Sequence, residues 1–230
     1  MQASSTLLSS GIYSIPQAAR LVGVHAKKLR GWVTGYGEMM KAPPLIQSEI
    51  PELPHRFAIS FLNLIEARLI YAFSQQGVPV RSIRLMAVEA RRFLRHPHPF
   101  ATSMMFRTDR RKIFITALNK TGVPQLYDLK GKNFGMWDVL ERELTDEIVY
   151  GPTGLATAWY PRKATLPRIY VHPKVSFGQP AIDKSGVPTE TLYEAYLAEG
   201  NNYQAVARWF NVPPEHVKEA VQFERQPVVH

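Results

Sequence analysis

The sequence predicts an α+β chain in three parts. These are an N-terminal (winged) helix-turn-helix with long helices over residues 1–99, a small mainly β segment over 100–164, and a C-terminal three-helix, helix-turn-helix-like bundle over 165–230. Three observations predict it. A capped pair of short helices opens the chain and two long amphipathic helices follow. Short apolar runs punctuated by Gly and Pro fill the middle. Three more helical segments close it. A length of 230 residues suits one large domain or two to three small ones.

The opening pair lies in Tyr13 to Val33, YSIPQAARLVGVHAKKLRGWV. Ser14 and Gln17 form an S-x-x-Q capping box, and Pro16 stands in the first turn, where its missing N–H costs nothing. Ala18, Ala19, Leu21 and Val22 supply a buried side, and Gly23 ends the helix. Val24 plugs the turn and a second helix runs from about His25 to Val33. On a helical wheel Leu29, Trp32 and Val33 share one side; Lys27, Lys28, Arg30 and Gly31 share the other. An apolar back, a cationic front and a residue without bulk in that front suit a helix entering the DNA major groove. A packed helical hairpin with a solvated basic face is the plainer reading of the same pattern.

Residues 34–56 carry prolines at 43, 44, 51 and 54 and glycines at 35 and 37, which excludes a helix and fits an irregular loop or wing, with a short extended piece at Leu45-Ile46. Ser60 caps a long helix whose apolar face holds Phe61, Leu64, Ile65, Leu69, Ala72 and Phe73, closed by Gly77. Pro79 opens the next. There Ile83, Met86, Ala87, Ala90, Phe93 and Leu94 occupy one arc and Arg81, Arg84, Arg91, Arg92 and Arg95 the opposite one. That arginine face suits phosphate or partner contact as well as plain solvation. The alternation of proline and histidine over His96 to Pro99 reads as a linker. Beyond it MMFRTDRRKIFITAL predicts two strands around Asp109-Arg110, LYDL a further strand, and 130–144 a loop entering a short helix. EIVYG, LATAWYP and RIYVHP are strand-like pieces.

Residues 189–224 are helical again, with breaks at Gly200 and before Pro214. Val206, Ala207, Phe210, Val212, Val217, Ala220 and Val221 form a compact apolar set. The shape repeats the helix-turn-helix pattern but the charge does not: two basic and six acidic side chains repel phosphate, so this unit reads as a protein-binding or dimerising bundle. The whole chain divides in the same sense. Its net charge is +9, yet residues 1–112 hold 16 basic and 6 acidic side chains, and residues 113–230 hold 12 and 13. A polyanion-binding half is joined to a half with another task.

Chemistry is conspicuous by its absence. There is no cysteine, hence no disulfide, thiol nucleophile or thiolate metal site. No nucleotide-binding loop or H-E-x-x-H is present. His96 and His98 alternate with prolines without a third ligand, Asp109 lies among basic residues, and Ser176 lacks a nucleophile elbow. Trp159, Tyr160, Trp209 and Phe210 are most simply core or interface aromatics. No run of 18 apolar residues and no basic, apolar leader is found, so no membrane span or signal peptide is expected. The expectation is a cytoplasmic protein without catalytic residues, metal or cofactor.

Two resemblances follow from these motifs. YSIPQAARLVGVHAKKLRGWV resembles the N-terminal helix-turn-helix of mercury-resistance-regulator-type (MerR-like) proteins, with His25 where that family has Ser or Thr. ISFLNLIEARLIYAFSQQGVPVRSIR resembles the same family's later helices. The C-terminal stretch is similar to the family called domain of unknown function 433. That pattern stands here as Val171-His172-Pro173, Gly178-Gln179-Pro180, Gly186-Val187-Pro188-Thr189 and Ala220-Val221-Gln222-Phe223-Glu224, with Asp183-Lys184-Ser185 in place of an arginine-rich turn.

The second resemblance implies an antitoxin of a bacterial type II toxin–antitoxin pair. Such a protein would neutralise a toxin of nuclease-like, PIN-type fold and repress its own operon as a homodimer. The implied partners are double-stranded operator DNA and the cognate protein toxin. The candidate DNA-binding residues are His25, Lys27, Lys28, Arg30, Arg56, Arg81 and Arg84; the candidate toxin-binding residues are Phe177, Tyr193, Tyr196, Trp209, Phe210 and Phe223. A MerR-like regulator with a ligand-sensing C-terminal half is the rival reading, and an enzyme comes last.

Overall fold

The structure is a computed structural model that describes residues 11–35, 43–50, 57–106, 141–142 and 144–225. The chain is mostly helical, with small two-stranded sheets. β1 (Ile12–Ser14) pairs antiparallel with β2 (Ala58–Ser60), placing Tyr13 opposite Ile59. Each strand ends in a serine that caps the next helix: Ser14 caps α1 (Ile15–Val22), and Ser60 accepts from the Asn63 N–H at the start of α3 (Phe61–Gln75). α2 (Ala26–Thr34) follows α1 across a turn in which Gly23 takes a left-handed conformation, φ +80°, and the Gly23 and Val24 amides both donate to Ala19 O. The expected helix-turn-helix is therefore present.

The segment between α2 and β2 is irregular, as its prolines require, but it is anchored rather than extended. Leu45 and Ile46 are buried, and their amides donate to Trp32 O at 2.8 and 2.9 Å, satisfying the C-terminal end of α2. Arg84 and Arg91 of α4 (Val80–Leu94) reach back to hold the same segment through Pro43 O and Leu45 O.

α3 is buried nearly all round and forms the axis of the N-terminal core. Asn63 Nδ2 donates to Gln47 O, one Glu66 oxygen faces His98, and Arg68 makes a forked pair with Glu147 at 3.0 and 3.1 Å, which Trp159 Nε1 joins; Asn63 Oδ1 and the other Glu66 oxygen stay buried without a hydrogen-bond partner. α4 buries Ile83, Met86, Ala87 and Ala90 as patterned. Phe93, however, is 59% exposed, because it lies at the edge of the apolar stripe while Leu94 occupies its centre.

His96 to Pro99 is not a linker. His98 is buried between Asn63, Glu66 and Glu49, and Phe100 packs on Phe73 at 6.2 Å between ring centroids. The polar imidazole is admitted to the core because carboxylates stand at both of its nitrogens.

Strands expected at MMFRTDRRKIFITAL beyond Phe106, at LYDL, and most of the loop expected over 130–144 lie outside the described residues. The later strands are present: β3 (Ile148–Tyr150) and β4 (Ala156–Trp159) form a hairpin, and β5 (Ile169–Tyr170) pairs with β6 (Ala181–Ile182). Trp159 and Val171 exchange backbone hydrogen bonds at 2.9 and 2.7 Å, so the two hairpins join in one meander. Trp159 and Val171 are both fully buried in the N-terminal core, which thus runs on past residue 164.

The C-terminal unit packs α5 (Thr189–Ala198), α6 (Tyr203–Phe210) and α7 (Pro214–Glu224) together. Its core contains Leu192, Val206, Ala207, Val212, Val217, Ala220 and Val221, the set marked by periodicity except that Phe210 is half-buried at its margin. Leu21 of α1 packs against both cores.

Candidate nucleic-acid interface

The capping box closes in both directions: Ser14 Oγ receives the Gln17 amide, and Gln17 Oε1 receives the Ser14 amide at 3.0 Å. The second helix is capped as well. His25 Nδ1 accepts from the Lys27 amide at 3.0 Å, so the imidazole does the work that Ser or Thr does elsewhere. The ring must be unprotonated at Nδ1 to do so, which leaves Nε2 at the exposed edge.

The cationic front of α2 is narrower than the wheel suggests. His25, Lys27, Arg30 and Thr34 are exposed along it, with Lys27, Arg30 and Thr34 at i, i+3 and i+7. Arg30 is steadied by the Phe57 ring, 4.8 Å from its Cζ. Lys28 is turned aside: its Nζ donates to Ser74 Oγ at 3.2 Å and stands 5.6 Å from the Trp32 ring. It therefore ends in the last turn of α3, where carbonyl ends attract a cation. Gly31 is buried, since a residue without a side chain has only its backbone to show and the helix neighbours cover it. On α4 and at its C-cap, Arg81, Arg92 and Arg95 are exposed, whereas Arg84 and Arg91 are committed to backbone carbonyls. Arg56 lies outside the described residues.

Of the six aromatic residues marked in the C-terminal unit, two face solvent, Phe177 at 77% and Trp209 at 67% exposed. Tyr193 and Phe210 are half-buried. Tyr196 and Phe223 are buried in the bundle, because each occupies a core-facing helical position; Tyr196 stacks on Tyr203 at 4.4 Å. They present no surface to a partner and act through the fold. Phe177 is pushed outward by a left-handed backbone, φ +56° and ψ +25°, next to Ser176 at φ +46°. Ser176 Oγ, donating to Gly186 O at 2.8 Å, holds that turn in place.

The basic front and the aromatic surface are not independent. Arg20 of α1 donates to Glu224 of α7 at 2.5 Å and lies over the Phe223 ring. Tyr13 of β1 pushes its hydroxyl against Gly178: a Cβ at that position would meet the oxygen at 2.5 Å. Between these contacts a cleft of about 280 Å³ separates α1 from the C-terminal unit, lined by Ile12, Pro16, Arg20, Phe177, Pro180 and Glu190 among others. These contacts span the chain from end to end, and no local pattern marked them. Among the described residues no helix is long and apolar enough to cross a membrane.

Residues 11–87 match the family described as "Putative DNA-binding HTH domain", and residues 169–223 match the family described as "Protein of unknown function (DUF433)". The chain carries a DUF433 domain behind an N-terminal helix-turn-helix. A curated protein from Mycobacterium tuberculosis (strain ATCC 25618 / H37Rv) named "Putative antitoxin VapB45" is 24% identical over 91% of this chain and 92% of its own length. The crystal structure of Rv2018 from Mycobacterium tuberculosis has a like fold, with a TM-score of 0.68, 22% identity, and coverage of 91% of this chain and 96% of that one.

Proposed function

We propose that this protein is a cytoplasmic antitoxin of a bacterial type II toxin–antitoxin system. As a homodimer it binds its own operator through α2 in the MerR-like manner, and it neutralises a nuclease-like, PIN-type protein toxin through the DUF433 domain. One observation carries the reading: an exposed cationic ridge of His25, Lys27 and Arg30 and the exposed aromatic rings of Phe177 and Trp209 stand on two units that the Arg20–Glu224 contact ties together. The antitoxin name of the relative and the two domain matches support it. Lys27 and Arg30 contact phosphates or guanine edges, His25 offers Nε2 to a base or phosphate, and Arg81 adds a phosphate contact. Two copies of α2 then occupy successive major grooves about 34 Å apart. Phe177 and Trp209 anchor the toxin, as aromatic residues do at protein interfaces.

Removing residues 165–230 is a poor test, because Val171 belongs to the N-terminal core. Surface changes are better. Phe177→Ala with Trp209→Ala should abolish rescue of cells expressing the product of the adjacent reading frame, while DNA retention in a gel shift is kept. Rescue that survives both changes would falsify the toxin assignment. The cleft beside Arg20 favours the second reading, a ligand-sensing regulator; there, a small molecule would change operator affinity with no second protein present.

A further inference from the structure

The meander has an outer face that the helix-turn-helix and the toxin surface leave unused. Trp159 and Val171 point inward and are fully buried, so the residues beside them in the register, Tyr160 and Tyr170, share the opposite face. Their ring centroids lie 5.9 Å apart, and His172, two residues on along the strand, follows at 6.3 Å. All three are half-buried, with one side of the row toward solvent. Val149, on the same face through its pairing with Ala158, is 45% exposed. The row is braced: the Tyr160 hydroxyl donates to Asp183 at 3.1 Å, and His172 Nδ1 accepts from the Lys174 amide at 3.1 Å. Cations frame it. Lys163 Nζ donates to Asp146 O at 2.7 Å, which holds it 5.5 Å from the Tyr160 ring with its remaining N–H bonds free to point outward; Lys174 follows His172, and Lys184 follows Asp183; all three lysines are exposed.

We propose that this face is a binding site for single-stranded nucleic acid, with successive bases stacking on Tyr160, Tyr170 and His172 and the backbone tracked by Lys163, Lys174 and Lys184. A row of solvent-facing, half-buried rings on a small antiparallel sheet with cations at its rim suits sequence-tolerant single-strand recognition. The charge is complementary: three exposed lysines against the Asp183 carboxylate, which the Tyr160 hydroxyl engages. A protein partner is less suited, since the rings are half-buried and cations rather than apolar side chains frame them.

The test uses the full chain with Lys27→Ala and Arg30→Ala, which remove the α2 contribution. Labelled oligo-uridine and oligo-thymidine of about 12 nucleotides are titrated at low salt by fluorescence anisotropy. Saturable binding is expected, weakened about ten-fold by Tyr170→Leu and again by Tyr160→Leu, and unchanged by Tyr160→Phe. Lys163→Ala and Lys174→Ala, which leave the core alone, should each lower the salt slope by about 0.7. Equal affinity for both oligomers means recognition by stacking alone, and preference for the uridine oligomer adds contact to the 2′-hydroxyl; both support the site. Absence of binding, or binding indifferent to the tyrosine and lysine changes, overturns it. So does a finding that the tyrosine changes instead disrupt a protein complex of this chain.

Discussion

Arg20, in the last turn of α1, donates to the Glu224 carboxylate of α7 at 2.5 Å across 204 positions of sequence. The other Glu224 oxygen receives the Thr189 hydroxyl at the start of α5. One carboxylate thus joins the helix-turn-helix to both flanking helices of the DUF433 domain. Arg20 is 31% and Glu224 8% exposed, so removing the cation leaves a mostly buried anion held only by the Thr189 hydroxyl and the field of the nearby Arg162. Arg20→Ala should lower stability by about 1–2 kcal/mol, discounted for the solvent around the arginine. Glu224→Gln, which keeps an acceptor for Thr189, should cost less. Urea unfolding followed by Trp fluorescence checks both; equal losses for the two variants would argue against an electrostatic role.

A second junction is steric. Tyr13 is buried with an unpartnered hydroxyl, and Gly178 stands at φ +85° beside it. Gly178→Ala therefore meets both a backbone conformation that L residues avoid and a Cβ placed 2.5 Å from that oxygen. It should be strongly destabilising. Tyr13→Phe removes a buried group with no partner, and is expected to be neutral or to stabilise by up to about 1 kcal/mol. The double variant should recover part of the Gly178→Ala loss but not the backbone strain, so a thermal-melt cycle should show non-additivity. Strict additivity would mean that the two residues do not touch in solution.

The cations of the α2 front separate into two that face outward, Lys27 and Arg30, and one that does not, Lys28. Lys27→Ala and Arg30→Ala should each weaken DNA binding across sequences and lower the salt slope by about 1. Lys28→Ala should leave that slope alone and lower stability instead, because its Nζ is spent on Ser74 and the end of α3. Anisotropy titrations at several salt concentrations, paired with melts, decide the matter. A slope change for Lys28→Ala equal to that for Lys27→Ala would return Lys28 to the interface.

Local chemistry was legible in the sequence wherever one helix or one turn suffices. The capping box at Ser14 and Gln17, the Gly23 stop, the Ser60 cap and the apolar faces of α3 and α7 all follow from short-range periodicity and hydrogen-bonding capacity. What was not legible is what a wheel leaves out, namely which neighbour a side chain meets. Lys28 and Gly31 share the polar arc with Lys27, but α3 takes the first and backbone packing hides the second. Arg84 and Arg91 look like solvent-facing arginines until the segment at Pro43 to Leu45 supplies carbonyls. His98 reads as linker because His-Pro alternation is usually solvated, yet carboxylates from Glu66 and Glu49 draw it inward. Tyr196 and Phe223 were marked as aromatic surface, although their positions on α5 and α7 point into the bundle.

His25 offers a direct test of the unusual cap. Replacing it with Ser restores the common side-chain acceptor and should keep the stability of the domain. His25→Ala leaves the Lys27 amide unpartnered and should cost about 1 kcal/mol. If the imidazole also meets DNA through Nε2, His25→Ser will lose affinity without losing stability. Measuring both quantities on the two variants separates capping from contact; equal stability of Ser and Ala variants would dismiss the cap.

Stability should fall at both ends of the pH scale, for opposite reasons. Burial, with Lys174 second, holds the His172 imidazole below its ordinary 6.5. A depressed group contributes stability that is present above the unfolded value and lost as pH falls through the folded one, so the loss begins below about pH 6.5. At the alkaline end the phenols of Tyr13, Tyr150, Tyr160 and Tyr170 are held above 10.0, chiefly by burial, and Tyr160 is pushed up to about 12 with Asp183 adding to the burial. A raised group binds its proton more tightly in the folded chain, so its contribution is intact below pH 10 and is lost as pH climbs toward 12. Chemical denaturation across the pH range should therefore show a plateau between about pH 7 and 10 with a decline on each side. Tyr160→Phe should reduce the alkaline decline alone, and His172→Gln the acid decline alone. A plateau edge that moves at the wrong end in either variant would refute the assignment of that residue.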